Sequence, residues 1–211
     1  SSNNVIGFLF KRVITVQHII LILNLQNTLF HTSNFNFRLN HLIIIGVLVL
    51  AFSVSFLIRS QPAEYGLELN EFDPFFNFRA TEYIVENGLD EYFQWHDKKS
   101  WYLPSDPLYN PPGSNASGRD ISATSQVMLH ITTAFTYEIF GTNLSLYDYT
   151  ILFPAIIGSL TVIVIFGLVR VIGGTFAGLI ASLLFAVSLP VIIRGTIGWF
   201  KSEPLGIFYG L

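Results

Sequence analysis

Long apolar runs alternate with polar segments along the chain. Three of these runs contain no charged residue and reach the length of about 17–25 residues that a helix needs to cross a bilayer. They cover residues 42–58, 149–169 and 176–193. The pattern predicts three transmembrane helices, the last two joined by a tight turn at Gly173 and Gly174. Another apolar run, 205–211, is expected to start a further transmembrane helix that is cut short.

The segment between the first two spans is acidic. Residues 60–147 contain twelve acidic and four basic residues, whereas three basic residues precede the first span. Because basic residues favour the cytoplasmic side, we expect the N-terminus inside and 60–147 outside. Arg170 beside the glycine turn is typical of a cytoplasmic hairpin tip, so the chain after 193 returns to the outer face.

Two helices are predicted within the external segment. Apolar spacing and a Gly88 stop indicate a helix over 77–87, and 103–118 is a loop dense in Pro, Gly, Ser and Asn. In 122–140 the apolar residues follow helical spacing, which leaves one apolar and one polar face. They are positions 127, 128, 131, 134, 135 and 139. Both a weak span and a surface helix fit this stretch. We favour the surface helix, because a span would put Arg194 and Asp73 on opposite faces.

These patterns predict an all-α polytopic membrane protein with a large helical first external loop. Its parts are an N-terminal extension (1–40), a first transmembrane helix (41–59), the first external loop with surface helices (60–147), a transmembrane hairpin (148–193), a second external loop (194–204) and the start of the next transmembrane helix (205–211).

Composition agrees with this assignment. Hydrophobic residues make up 51% of the 211 positions and charged residues 12%, against about 25% charged in a soluble domain. The mean hydropathy is +0.53. The lipid bilayer is therefore an expected partner. Without Cys there are no disulfides or thiol chemistry. The net charge of −3 and the lack of a basic patch argue against a nucleic-acid partner.

Asp73 is the first candidate functional residue. It lies in the stretch EFDPFFNFR (71–79), just after the first span. A carboxylate beside so much apolar surface is costly unless it is paired, hydrated or bound to a metal. The plain alternative is a solvated Asp in an interfacial aromatic belt.

A second cluster follows the third span. Arg194, Lys201 and Glu203 lie in the second external loop, on the face predicted for Asp73. Two carboxylates with two cations nearby suit a divalent ion, Mg²⁺ or Mn²⁺, together with a phosphate. The alternative is a loop whose cations reach lipid headgroups while Glu203 pairs with one of them.

Three motifs carry a resemblance. E-F-D-P-F-F-N-F-R-A-T-x-Y-x-V-E-N-G (71–88), W-Y-x-P followed by G-R-D (101–104 and 118–120), and the loop 194–203 resemble the catalytic subunit of oligosaccharyltransferase, especially archaeal members. The resemblance covers residues 41–211. It implies a GT-C glycosyltransferase fold and transfer of an oligosaccharide from a dolichol-linked phosphate or pyrophosphate donor to the Asn amide of Asn-x-Ser/Thr sequons in an acceptor protein. It also implies a multi-pass protein of the plasma membrane with its active site on the outer face.

The same resemblance implies roles for the candidate residues. Asp73 matches an acid that ligates the catalytic metal, Mn²⁺ or Mg²⁺, and Glu203 matches the second acid of a D-x-D or D-x-E pair. Arg194 matches an Arg beside the metal site. Lys201 stands where the first acid of the pair is usual, and a cation cannot ligate a metal. Either water fills that position or Lys201 contacts the donor phosphate.

The resemblance leads to further expectations about the rest of the protein. The family's later external acid and its C-terminal W-W-D-Y-G domain would lie after Leu211, so the chain is expected to be inactive alone. Sequons occur at Asn115 and Asn143, and 103–117 looks like an insertion. Two alternatives stand beside the family assignment. One is another polyprenyl-phosphate-sugar transferase of the GT-C type, such as a protein O-mannosyltransferase. The other is a non-catalytic polytopic subunit or transporter with structural acids.

Overall fold

The computed structural model describes residues 39–100, 118–141 and 143–211. Contacts divide the chain into residues 1–41 and 42–211, and all the candidate functional residues lie in the second unit. The predictions for the N-terminal extension, the 103–117 insertion, the W-Y-x-P motif and the Asn115 sequon lie outside the described residues.

The described chain is mainly helical, as predicted. In chain order its elements are α1 (Leu39–Ser60), a 3₁₀ turn (Gln61–Tyr65), α2 (Phe72–Asn87), α3 (Leu89–Tyr92), β1 (His96–Asp97), β2 (Arg119–Asp120), α4 (Ile121–Thr124), α5 (Val127–Phe140), α6 (Leu146–Ala186), α7 (Leu189–Ile193) and α8 (Ser202–Gly210). The two short strands pair antiparallel, with His96 opposite Asp120 and Asp97 opposite Arg119.

Two of these helical stretches are long and apolar enough to cross a membrane. They are Leu39–Tyr65 and Leu146–Ala186, which contain 18-residue stretches with mean hydropathies of 2.7 and 2.5. On α1 the exposed side chains include Leu42, Val49 and Leu57. Apolar side chains that face outward from a helix of this length are expected where the surrounding solvent is lipid. These helices support the predicted all-α membrane protein.

The prediction of a turn at Gly173 and Gly174 is confirmed. Gly174 has a φ of 84°, which interrupts α6 and is a conformation that glycine adopts at little cost. A Cβ on Gly178 would lie 3.0 Å from the Phe166 ring. This contact joins the two parts of α6, so the second part packs back along the first.

The return helix is shorter than the predicted third span. It ends at Ala186, and a separate α7 begins at Leu189. Ser188 is extended, and Pro190 stands in the first turn of α7. Proline lacks an amide hydrogen and is tolerated at a helix start but not within one. The apolar run 176–193 is continuous in composition, yet its backbone is interrupted at this point.

Helix α2 begins earlier than predicted. It starts at Phe72 rather than at 77, and it ends at Asn87 with Gly88 as its C-cap, as predicted. The start follows from Asp73 and Pro74, because an acid and a proline are both favoured in the first turn of a helix. Asp73 therefore belongs to a helix rather than to an interfacial loop.

The predicted helix over 122–140 forms, but in two parts. It breaks at Ser125 and Gln126, between α4 and α5. The buried positions of α5 are Leu129, His130, Thr133 and Ala134, and the exposed ones include Met128, Phe135, Ile139 and Phe140. Several apolar side chains of α5 therefore point away from the protein. The opposite face of α5, which packs against the protein, is partly polar. With 14 residues, or about 21 Å of length, α5 is shorter than a bilayer core of about 30 Å.

The loop after α7 is hydrogen-bonded to three other segments. Ile197 donates its amide to the Arg59 carbonyl at the end of α1, and Gly198 donates to the Ile151 carbonyl near the start of α6, each at 3.0 Å. Asn70, just before α2, donates its amide to the Gly198 carbonyl at 3.0 Å. Backbone bonds therefore fix the second loop beside the start of α2.

Candidate functional site

Asp73 and Glu203 each lie in the first turn of a helix. Asp73 is the second residue of α2, and Glu203 is the second residue of α8. A carboxylate is favoured there because the helix dipole and the free amide groups stabilise negative charge. The Asp73 side chain is 70% exposed and that of Glu203 is 36% exposed. The Asp73 carboxylate is therefore accessible to a ligand, and that of Glu203 is accessible in part.

Lys201 connects the two helix starts. Its Nζ donates to Glu71 Oε2 at 2.7 Å and lies 3.0 Å from Asp73 Oδ2. The Trp199 ring centre lies 4.5 Å from the same Nζ. The hydrogen bond to Glu71 raises the pKa of Lys201 above its usual value, and Asp73 adds to that effect although burial opposes it. The ammonium therefore stays protonated at neutral pH.

Arg194 forms the other ion pair of the site. Its Nη1 donates to Glu203 Oε1 at 3.3 Å, and its guanidinium carbon lies 5.6 Å from the Trp199 ring centre. Trp199 therefore contacts both Arg194 and Lys201, an arrangement in which each cation faces the negative charge of the ring. The second oxygen of Glu203, Oε2, is buried and has no hydrogen-bond partner among the described residues.

All four predicted site residues thus lie near one another. Asp73 contacts Lys201, and Arg194 contacts Glu203, two residues after Lys201. Sequence reasoning missed two participants, Glu71 and Trp199. Glu71 has a φ of 70°, which is uncommon for a residue with a side chain. An acid two positions before Asp73 was the available signal for Glu71.

A buried polar chain supports the site from beneath. The Asn77 side-chain amide donates to the Phe200 carbonyl at 2.9 Å, and its Oδ1 lies 3.0 Å from His130 Nε2. His130 Nδ1 lies 2.7 Å from the Tyr92 hydroxyl. Since Asn77 Oδ1 can only accept, His130 carries its proton on Nε2 and accepts the Tyr92 proton on Nδ1. The chain links α2, α3 and α5 to the residue just before Lys201.

His130 is neutral in this chain. Burial, with a smaller contribution from the positive charge of Arg119, lowers its pKa from 6.5 to about 3. A histidine that must stay neutral in the fold binds a proton more readily in the unfolded state. Its contribution to stability is therefore complete above about pH 6.5 and is lost as the pH falls towards 3.

We therefore expect the unfolding free energy to decrease as the pH is lowered from 6.5 to 4. Chemical unfolding in detergent, followed by tryptophan fluorescence at several pH values, measures this slope. His130→Gln should flatten it, whereas His96→Gln, at a half-buried histidine whose ring lies 3.1 Å from the Gln94 carbonyl, should leave it unchanged. An unaltered slope in His130→Gln would contradict the assignment.

Two cavities adjoin the site. The first, of about 610 Å³, is lined by Asp73, by aromatic rings of α2, and by the cations Arg79, Lys99 and Arg119. The second, of about 440 Å³, lies between α5 and α8 and is mostly apolar, with Met128, Leu129, Leu205 and Tyr209 in its wall. Ser125 and Gln126 line both cavities. The charged cavity beside Asp73 therefore lies next to an apolar one.

The carboxylates as arranged do not fit the predicted divalent ion. Glu71 and Asp73 are held by Lys201, and Glu203 by Arg194. Residues 39–100, 118–141 and 143–211 contain no group of three His, Cys, Asp or Glu side chains placed to share a metal. Two unit charges 4 Å apart near a protein surface interact by about 4 kcal/mol, and a divalent ion doubles the repulsion from the ammonium. The assignment of Asp73 and Glu203 as ligands of Mn²⁺ or Mg²⁺ stays a prediction.

Comparison with known proteins points to one family. The family described as "Oligosaccharyl transferase STT3, N-terminal" matches residues 42–211. The chain is 31% identical over 176 residues to the dolichyl-diphosphooligosaccharide–protein glycosyltransferase subunit STT3A of Oryza sativa subsp. japonica, covering 79% of this chain and 19% of that protein. It is 29% identical over 168 residues to the corresponding subunit STT3B of Arabidopsis thaliana, covering 78% and 21%. To the subunit STT3 of Dictyostelium discoideum it is 27% identical over 175 residues, covering 82% and 22%.

The chain thus spans about a fifth of the length of these relatives. All three come from eukaryotes, and the closer similarity to archaeal members stays a prediction.

Proposed function

This chain belongs to the STT3 family of oligosaccharyl transferases, and on that premise we propose that it forms the N-terminal membrane region of an enzyme of protein N-glycosylation. The enzyme transfers an oligosaccharide from a dolichol-linked phosphate or diphosphate to the side-chain amide of Asn in an Asn-x-Ser/Thr sequence. The fold of this region is of the GT-C type. We further propose that 60–147 and 194–204 both lie on the outer face of the plasma membrane.

The observation that best supports this function is that a charged cavity and an apolar cavity lie side by side. A polyprenyl phosphate has a long apolar tail and an anionic head. The apolar cavity between α5 and α8 suits the tail, and the cavity with Arg79, Lys99 and Arg119 suits the head. Arg79 is already paired with Asp97, which leaves Lys99 and Arg119 as the principal charges for a phosphate. Asp73 lines the same cavity and is close to where the sugar would be attached.

The acceptor needs activation by acidic groups. An amide nitrogen is a poor nucleophile because its lone pair is delocalised into the carbonyl. A carboxylate that accepts a hydrogen bond from the NH₂ group weakens that conjugation and orients the nitrogen towards the sugar. The exposed carboxylate of Asp73 supplies such an acceptor, and the partly exposed side chain of Glu203 supplies a second one through Oε1.

The departing phosphate needs positive charge. Arg194 is 56% exposed and lies beside Glu203, so its guanidinium can contact an anion while the acid contacts the amide. Such fixed cations stabilise the negative charge that develops as the bond to the sugar breaks. The amide nitrogen bonds to the anomeric carbon from the side opposite the phosphate as the bond from that carbon to the phosphate oxygen breaks, so the carbon is inverted. The nitrogen loses one proton in this step, which the Asp73 carboxylate can accept.

The acceptor peptide provides the test. The longest natural form of the protein, purified in detergent with a dolichol-linked oligosaccharide, should glycosylate a fluorescent peptide containing Asn-Ala-Thr. It should not modify the matched Gln-Ala-Thr peptide. Transfer to the Gln peptide through its Thr hydroxyl would instead indicate an O-glycosyltransferase. Because the 211 residues span about a fifth of the relatives, we expect this chain alone to produce no glycopeptide, and turnover by it would refute that part.

A further inference from the structure

The ammonium of Lys201 has an environment unlike that of a surface lysine. Its Nζ contacts Glu71 Oε2 at 2.7 Å and Asp73 Oδ2 at 3.0 Å, and the Trp199 ring covers a third side. Only 12% of the side chain is exposed. A lysine that served lipid headgroups or a mobile phosphate would keep its charge in solvent. This one is enclosed by two carboxylates and a ring.

Hydrogen bonds also fix the backbone at Lys201. Phe200 is fully buried, and its carbonyl accepts the bond from Asn77, one helical turn after Asp73. The Lys201 amide itself donates to the Trp199 carbonyl at 2.8 Å. Lys201 is therefore fixed, through the Phe200 carbonyl, to α2, the helix that carries Asp73.

We propose that the Lys201 ammonium is a built-in cation of this site, lying between Glu71 and Asp73 and taking the place of the divalent metal ion that the family resemblance assigns to Asp73 and Glu203. It neutralises the two carboxylates and holds the starts of α2 and α8 together, so the site keeps its shape without a bound metal. This inference rests on the proposed function, which says what the site is used for, but its test requires no transfer activity.

The charge balance makes the proposal specific. Three carboxylates, those of Glu71, Asp73 and Glu203, face two cations, those of Lys201 and Arg194. Lys201→Asp changes this to four carboxylates and one cation. Oxygen ligands of that number and charge are what Mn²⁺ and Mg²⁺ bind in proteins. A single substitution should therefore convert an ion-paired site into a metal site.

Binding of Mn²⁺ alone tests the proposal. The protein in lipid nanodiscs is titrated with Mn²⁺, and free ion is measured by electron paramagnetic resonance. We expect weak binding by the natural protein, an affinity at least tenfold higher in Lys201→Asp, and loss of that gain in the double variant with Asp73→Asn. Lys201→Met should give a smaller gain, since it frees two acids without adding a third ligand.

Two controls complete the design. Lys98→Asp adds the same charge change at an exposed lysine of the external segment and should alter Mn²⁺ affinity less than twofold. Lys201→Arg keeps a cation and should bind no more Mn²⁺ than the natural protein. Tight Mn²⁺ binding by the natural protein that is lost in Asp73→Asn would overturn the proposal, and this measurement does not depend on any Lys201 variant folding. Failure of glycopeptide formation, by contrast, would count against the proposed function and leave the Mn²⁺ result intact.

Discussion

Asp73→Asn should reduce the rate of glycopeptide formation by about 100-fold or more, with little change in stability. The substitution keeps the shape of the side chain and removes the charge that accepts a hydrogen bond from the acceptor amide. Loss of one well-placed electrostatic partner of a transition state typically costs about 100- to 1,000-fold. The measurement is the initial rate with a saturating Asn-Ala-Thr peptide, using the longest natural form of the protein.

The stability of this variant separates a chemical role from a structural one. Asp73 is 70% exposed, and exposed ion pairs contribute about 0–1 kcal/mol. Lys201 also retains Glu71 as a partner. The unfolding midpoint of Asp73→Asn should therefore stay near that of the natural protein. Asp90→Asn, at an acid of α3 in the same external segment, is the matched control and should keep full activity. More than half of the natural rate in Asp73→Asn would rule out its role.

The two helical stretches that are long and apolar enough to cross a membrane could be predicted because lipid imposes a recognisable pattern. A span must satisfy its own backbone bonds and expose apolar side chains, so its signal is continuous and long. Because the apolar composition continues through 176–193, it gave no sign that the helix ends at Ala186. Ser188 and Pro190 are common signals of a helix start, but within an apolar run they were outweighed by the hydropathy of their neighbours.

The orientation of α5 shows a different limit. Its apolar positions were found correctly, yet the structure directs several of them outward and buries His130 and Thr133. In a soluble protein an apolar face almost always meets the core. Beside a bilayer, lipid competes with the core for apolar surface, so helical spacing alone does not say which face contacts the protein.

The site residues were named from a motif, but their contacts were not. Lys201 and Glu71 are 130 positions apart, and their contact depends on backbone bonds from Gly198 to Ile151 and Asn70. No local pattern reports such docking. The sequence did show a lysine at position 201, where the family resemblance leads one to expect an acid. The ion pairs of Lys201 with Glu71 and Asp73 account for a cation at that position.

Asn77 is the residue whose loss should cost the fold most among those near the site. It is 1% exposed and joins the Phe200 carbonyl to His130. Asn77→Leu preserves volume but leaves that carbonyl and the His130 Nε2 proton buried without partners. Each unsatisfied buried group costs about 1–3 kcal/mol, so we expect a loss of roughly 3 kcal/mol in unfolding free energy, measured by chemical unfolding in detergent.

Thr81→Val is the matched control for Asn77→Leu. Thr81 is also fully buried on α2, but its hydroxyl donates to the Asn77 carbonyl one turn earlier, within the same helix. Its removal leaves a carbonyl that already accepts a helical bond, so its cost should stay near 1 kcal/mol. If Asn77 and His130 act through one chain, Asn77→Leu and His130→Leu combined should cost less than the sum of the two, because each single change already breaks the shared bond. Additive losses of unfolding free energy in the double variant would contradict a shared chain, and so would equal losses in Thr81→Val and Asn77→Leu. The loop that carries Lys201 would then be held by its backbone bonds alone.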